Sequence, residues 1–122
     1  MSVFPLLISL LICHFLADYC LTTPQMIEAK ASGKKLQHVA LHALVHAALM
    51  GAVLLAFCVS CVVGLFALEL VTHFVIDYGK GFLGRKFSAF ADNTKKLFWM
   101  LYGLDQLLHL LVIVVIVYFA VS

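Results

Sequence analysis

Three long apolar runs divide the chain. Val3–Leu21 is interrupted only by His14 and Asp18, Val39–Asp77 carries a few isolated histidines and carboxylates, and Leu97–Val121 closes the sequence. A membrane-spanning helix takes about 20 residues. The middle run is too long for one, so it reads as two helices joined by a tight turn near Val59–Val63, around Ser60 and before Gly64. The pattern predicts helices at approximately residues 3–21, 37–58, 62–80 and 97–121 in a single transmembrane domain covering residues 1–122. The expected fold class is all-α, an integral membrane four-helix bundle. The hydrophilic stretches Thr22–Gln37 and Gly79–Lys96 read as loops. The N-terminus lacks the positive segment that opens a signal peptide, so the first run is expected to be retained as a helix.

Composition strengthens this reading. The 122 residues are 65% hydrophobic and 11% charged, whereas soluble domains are roughly 45–50% apolar and 25% charged. Mean hydropathy is +1.12. A soluble chain this short has too little interior to hide so much apolar surface, so its solvent is lipid. The net charge of +2, without a basic stripe and interleaved aromatics, argues against a nucleic-acid partner. Every Lys and Arg lies in the two loops: Lys30, Lys34 and Lys35 in one, Lys80, Arg85, Lys86, Lys95 and Lys96 in the other. The positive-inside rule makes both loops cytoplasmic and puts both termini and the Cys58–Cys61 turn on the opposite side. Phe98, Trp99 and Tyr102 then form a cytoplasmic aromatic belt.

The ionisable residues carry the chemistry. His14 and Asp18, His42 and His46, Glu69, His73 and Asp77, and Asp105 and His109 all recur at intervals of four. Side chains at i and i+4 share a helix face, so each helix presents its own pair or triplet. Chain direction puts all four sets in one half of the bilayer, with Asp105 and His109 deepest, about 12–18 Å from Leu97 at 1.5 Å per residue. A carboxylate at a helix centre costs about 2.5–3.5 kcal/mol on the lenient insertion scale, so four isolated ones approach about 10 kcal/mol. Helix packing in lipid offsets little of that. A divalent metal neutralises carboxylates and takes neutral imidazoles as donors. The candidate ligands are therefore His14, Asp18, His42, His46, His73, Asp77, Asp105 and His109. They are too many for one tetrahedral ion, so two or three ions with a bridging Asp are expected, zinc first and manganese second. Glu69 is a ligand or the general base. Lys80, three residues beyond Asp77, suits a substrate phosphate or a positive-inside anchor.

Other features have plainer readings. His38 sits at the boundary beside Lys34 and Lys35 and reads as interfacial. Ala43, Ala47 and Gly51 form a small-residue stripe suited to helix packing. Gly79–Gly84 fits the spacing GxGxxG but follows an apolar helix instead of a strand, which argues against dinucleotide binding. Cys13 and Cys20 read as small hydrophobes, and so do Cys58 and Cys61, although their CxxC spacing also suits a disulfide in the outer turn.

The segments His14–Tyr19, Lys30, Leu41–His46, Glu69–Lys80 and Asp105–His109 resemble a family of small bacterial and phage-borne membrane proteins of unknown function. The likeness spans nearly the whole chain, and HFVIDYGK and DQLLH are its most specific parts. That family carries a glutamine soon after its HxxxD motif; here Thr22 stands there and the nearest glutamine is Gln25. The pattern is also similar to membrane-bound hydrolases of the DNA-damage response classed as metal-dependent. More distantly it resembles zinc-dependent phospholipase C and related single-strand nucleases, through spacing alone.

The resemblance implies a bacterial inner-membrane protein and a metal-dependent hydrolase. The expected reaction is cleavage of a phosphoester, a phospholipid head group or prenyl phosphate, at the cytoplasmic surface. Glu69, Asp77 and Lys80 are the expected catalytic residues, membrane lipids the expected partners, and a homo-oligomer stays open. Three rivals remain. A haem-binding bundle is disfavoured by the carboxylate beside nearly every His. An ion or proton conduit is disfavoured by the absence of such residues from the outer half of the helices. The third is a non-catalytic interaction protein, such as a phage exclusion factor, with a structural metal.

Overall fold

The first apolar run is helical from Val3. In the computed structural model, which describes residues 1–122, α1 spans Val3–Phe15 and continues as a π-helical turn over Leu16–Cys20. This turn is closed by a bond from Leu21 N–H to the Leu16 carbonyl at 2.9 Å. There follow α2 (Pro24–Ser32), α3 (Leu36–Ala56), α4 (Val62–Lys86), the one-turn α5 (Ser88–Ala91) and α6 (Lys96–Val121), with no strand. Four segments are long and apolar enough to cross a membrane: Val3–Cys20, Leu36–Ala56, Val62–Lys86 and Lys96–Val121. The chain is an all-α four-helix bundle whose outward positions, among them Phe4, Leu55, Val63 and Val114, are exposed and apolar, as a lipid-facing surface requires.

Three local features differ from the sequence reading. The first polar stretch is largely helix. Thr23 caps α2, accepting from Met26 N–H at 3.2 Å, Pro24 takes the first turn, and Gly33 in the left-handed region (φ 67°) closes it. Those start and stop signals are ordinary ones, but the segment's polarity made it read as a loop. α4 runs on to Lys86 instead of ending near residue 80. Its glycines cost helix propensity without removing backbone donors, and Arg85 and Lys86 sit where a helix C-terminus favours cations. The α3–α4 turn begins earlier than expected, at Phe57. Cys58 N–H bonds the Leu55 carbonyl (2.9 Å) and Val59 N–H bonds the Leu54 carbonyl (3.0 Å), with Cys58 at φ 58°. This is a Schellman closure, with cysteine where glycine is usual.

The bundle interior has two halves. Leu6, Leu10, Met50, Leu54, Leu65, Ile113 and Ile116 form an apolar core where α1 and α4 begin and α3 and α6 end. The buried histidines and carboxylates fill the other half, toward the loops that hold the Lys and Arg. Ala43, Ala47 and Gly51 are buried on α3. A Cβ added to Gly51 would stand 3.3 Å from the Phe66 ring. Small residues allow this close approach of α3 and α4, which brings His42 and His46 against His73.

Candidate metal centre

The i, i+4 spacing turns each pair inward, and the four faces meet. Ring centroids lie 3.8 Å apart for His46 and His73, 4.1 Å for His73 and His109, and 5.0 Å for His14 and His46. His42 joins at 4.7 Å from His46. All five imidazoles are buried, as are Glu69, Asp77 and Asp105. Asp18 is partly buried, and the π-helical turn that carries it changes its angular relation to His14. Its two oxygens reach different helices: Oδ2 is 3.4 Å from His14 Nε2, while Oδ1 is 3.0 Å from His46 Nε2 and 3.3 Å from His42 Nε2.

Asp77 holds the middle. Its Oδ1 is 3.3 Å from His109 Nε2, and its Oδ2 is 3.4 Å from His73 Nε2 and 3.6 Å from His42 Nε2. Asp105 Oδ1 lies 3.4 Å from His109 Nε2. Two sets of donors are positioned to bind a metal ion: Asp18, His42, His46 and His73, and His73, Asp77 and His109. Within each set the donor atoms lie within 4.8 Å of one another. A tetrahedral ion with ligands at about 2.1 Å separates its donors by about 3.4 Å, and the distances from 3.0 to 3.6 Å match the edges of such a polyhedron.

Hydrogen bonding decides which atoms are free to bind. Glu69 Oε1 is 3.0 Å from His73 Nδ1. A carboxylate only accepts, so the imidazole proton sits on Nδ1 and the Nε2 lone pair faces Asp77 and His109. That is the carboxylate–histidine support seen behind metal ligands. His73 Nε2, His14 Nε2 and Asp105 Oδ1 are buried without a hydrogen-bond partner. Such atoms cost about 1–3 kcal/mol each when left unsatisfied. His73 has one free lone pair, so both sets cannot take it at once. An ion held by the second set would leave Asp18, His42 and His46 for the first.

Two lysines complete the electrostatics. Lys30 Nζ is 3.1 Å from His42 Nε2 and 3.3 Å from Asp77 Oδ2. Lys80 Nζ is 3.1 Å from Asp105 Oδ2, a carboxylate oxygen that also accepts from Gln106 Nε2 at 3.2 Å. Four carboxylates against two ammonium groups leave a charge of −2, which one divalent ion cancels without protonating any imidazole.

Among the residues singled out from sequence, His14, Asp18, His42, His46, His73, Asp77, Asp105 and His109 all line this interior, but only Asp18, His42, His46, His73, Asp77 and His109 fall in the two donor sets; His14 and Asp105 belong to neither. Glu69 stands behind His73 and contacts no other candidate ligand closely. Lys80 reaches Asp105, and its ammonium lies 4.6 Å from the centre of the Tyr102 ring. His38 stays outside the cluster. Lys30 is the site residue to which the sequence assigns no role: it belongs to the family resemblance and otherwise reads as a cytoplasmic charge in a loop, whereas the structure places it on α2, aimed inward. The Gly79–Gly84 stretch is helical, and Cys13, Cys20, Cys58 and Cys61 are free thiols.

No curated protein and no solved structure matches this chain. A family model described as "Protein of unknown function (DUF3307)" matches residues 6–122 and so spans every residue of the centre. With all but its first few residues covered by that model, the chain belongs to the DUF3307 family.

Proposed function

We propose that the protein is a membrane-embedded, metal-dependent hydrolase acting on a phosphoester at the cytoplasmic face of a bacterial inner membrane. Both termini then lie on the opposite side. The observation that carries the metal is the convergence of Asp18, His42, His46, His73, Asp77 and His109 in two overlapping donor sets, with His73 Nε2 buried and free of any hydrogen bond. The observation that favours hydrolysis is access. A cavity of about 270 Å³ reaches Asp18, Asp77 and Asp105, and Lys30 and Lys80 also line it. A purely structural ion needs no such opening, whereas a catalytic one keeps a position for water or substrate.

In this reading the two donor sets would hold zinc, or manganese as second choice, which would activate a water and polarise the phosphoryl oxygen. Asp77 would serve as a ligand between the sets, Lys80 would meet the phosphate, and Glu69 is a positioning residue that holds the His73 ring. The test is elemental analysis of protein purified from membranes, followed by assays on glycerophospholipids, prenyl phosphates and a generic phosphodiester. The expected result is one or two zinc or manganese ions per chain and turnover that a chelator abolishes. Metal-loaded protein that cleaves none of these substrates refutes the hydrolase and favours the interaction-protein reading.

A further inference from the structure

A second, larger cavity of about 650 Å³ adjoins the centre, bounded by α2, α4, α5 and α6. Its volume falls in the range of small-molecule sites, about 300–1,000 Å³. One part is cationic: Lys30, Lys80 and Arg85 line it against a single carboxylate, Asp77. Arg85 Nη1 donates to the Lys30 and Ala31 carbonyls at 3.3 Å each. A guanidinium has five donors, so others remain for a ligand. The rest of the wall is apolar, built by Ile27, Phe90, Phe98 and Leu101. Gly84 leaves it open, since a Cβ there would meet no atom within 4 Å.

We infer that this cavity binds a phosphate monoester of a long-chain alcohol, its phosphate on Lys30 and Lys80 beside Asp77 and its chain along Phe90, Phe98 and Leu101. The inference rests on the proposed function for what happens to the ester but not for its binding. Asp77 and Asp105 pair with Lys30 and Lys80, so the three cations keep a net charge of +1. The three unsubstituted oxygens of a monoester can each face one of them, whereas a diester offers only two. The apolar wall distinguishes an amphiphile from a free phosphate. Substrate then approaches from the bilayer surface, past the Phe98–Tyr102 aromatic belt.

Gly84→Leu tests this, because Gly84 lines the cavity with open space at its Cβ position and is not a residue of the centre. Protein in zwitterionic nanodiscs would be titrated with hexadecyl phosphate, hexadecylphosphocholine, glycerol phosphate and inorganic phosphate. Bound ligand would be read by native mass spectrometry and metal by elemental analysis. Wild type should hold hexadecyl phosphate at least about tenfold more tightly than the other three. Gly84→Leu should lose about tenfold for hexadecyl phosphate alone, the equivalent of about two methylenes kept out of the slot, with metal content and inorganic phosphate binding unchanged. Phe98→Ala, which removes part of the apolar wall, should lose hexadecyl phosphate affinity in the same selective way. Equal affinity for hexadecyl phosphate and inorganic phosphate overturns the inference, as does preference for the phosphocholine or wild-type affinity in both variants. Protein that binds hexadecyl phosphate without cleaving it refutes the hydrolase alone. Protein that cleaves soluble phosphoesters but ignores the alkyl chain refutes this inference alone.

Discussion

Glu69 and Lys30 act on different ligands of one centre, Glu69 on His73 and Lys30 on His42 and Asp77, and their substitutions should move metal affinity in opposite directions. Glu69 fixes the His73 proton on Nδ1 through a 3.0 Å bond. Gln can keep that bond but not the charge, so Glu69→Gln should weaken metal binding by about 10–100-fold with little change in the thermal stability of the metal-free protein. Competition with a metal-sensitive dye measures this. Unchanged affinity with turnover lost by about 10²–10⁴-fold would instead make Glu69 the general base. Lys30 presents its ammonium to His42 Nε2 and Asp77 Oδ2, two atoms an ion needs. Lys30→Met should therefore tighten metal binding by about tenfold, since a like charge about 4 Å away costs about 1–4 kcal/mol between water and a partly buried site. Weaker binding in Lys30→Met would mean that Lys30 supports the site instead of competing for it.

Helix ends and crossings set the positions of those side chains. Cys58 adopts φ 58° to close α3, a conformation that costs an L-residue roughly 1–2 kcal/mol and glycine little. Cys58→Gly should raise unfolding stability by about 1 kcal/mol without altering metal content, as read by thermal melts in detergent; a lowered midpoint would argue that the thiol itself is needed. Gly81 is constrained in the other sense. A Cβ there would overlap the Lys30 carbonyl oxygen where α2 lies on α4, and neither backbone can yield easily. Gly81→Ala should cost about 1–3 kcal/mol, the usual cost of overpacking, and should displace Lys30. Protease sensitivity confined to α2 would report that displacement. Wild-type protection would show that the two helices tolerate separation.

The bundle as a whole balances a dry half against a charged half. The apolar half holds by packing alone, while the charged half gathers four carboxylates that repel one another until cations arrive. Chelation should therefore lower the thermal midpoint, and excess zinc should raise it in proportion to RT ln(1 + [L]/Kd), about 2.7 kcal/mol at a hundredfold excess over Kd. A midpoint indifferent to both would leave the two lysines as the only counterions. Orientation is tested by reporter fusions: the grouping of Lys and Arg at one end predicts that a reporter after residue 122 is non-cytoplasmic. A cytoplasmic reporter there would reverse the face on which substrate is expected.

Much of this was legible along the chain. Apolar runs of membrane-spanning length specify four helices because no other element satisfies its own backbone in lipid. Intervals of four put His14 with Asp18 and His73 with Asp77 on one face whatever the tertiary arrangement, since the helix repeat alone decides it. Chain direction was enough to set all four pairs at a common depth. What could not be read was any quantity that depends on contact between helices. The Glu69–His73 bond lies within one helix and was within reach, but its meaning depends on His109 and Asp77 occupying the other side of the ring. The α2 helix was hidden because its signals are local and weak beside the contrast of apolar and polar segments, and Lys30 was hidden with it. The division of donors into two overlapping sets, the cavity that Gly84 lines and the central position of Asp77 arise from how the helices approach one another and from the π-helical turn at Leu16–Cys20. Those are packing outcomes, fixed by volumes summed over several helices, and no spacing along a single strand of sequence encodes them.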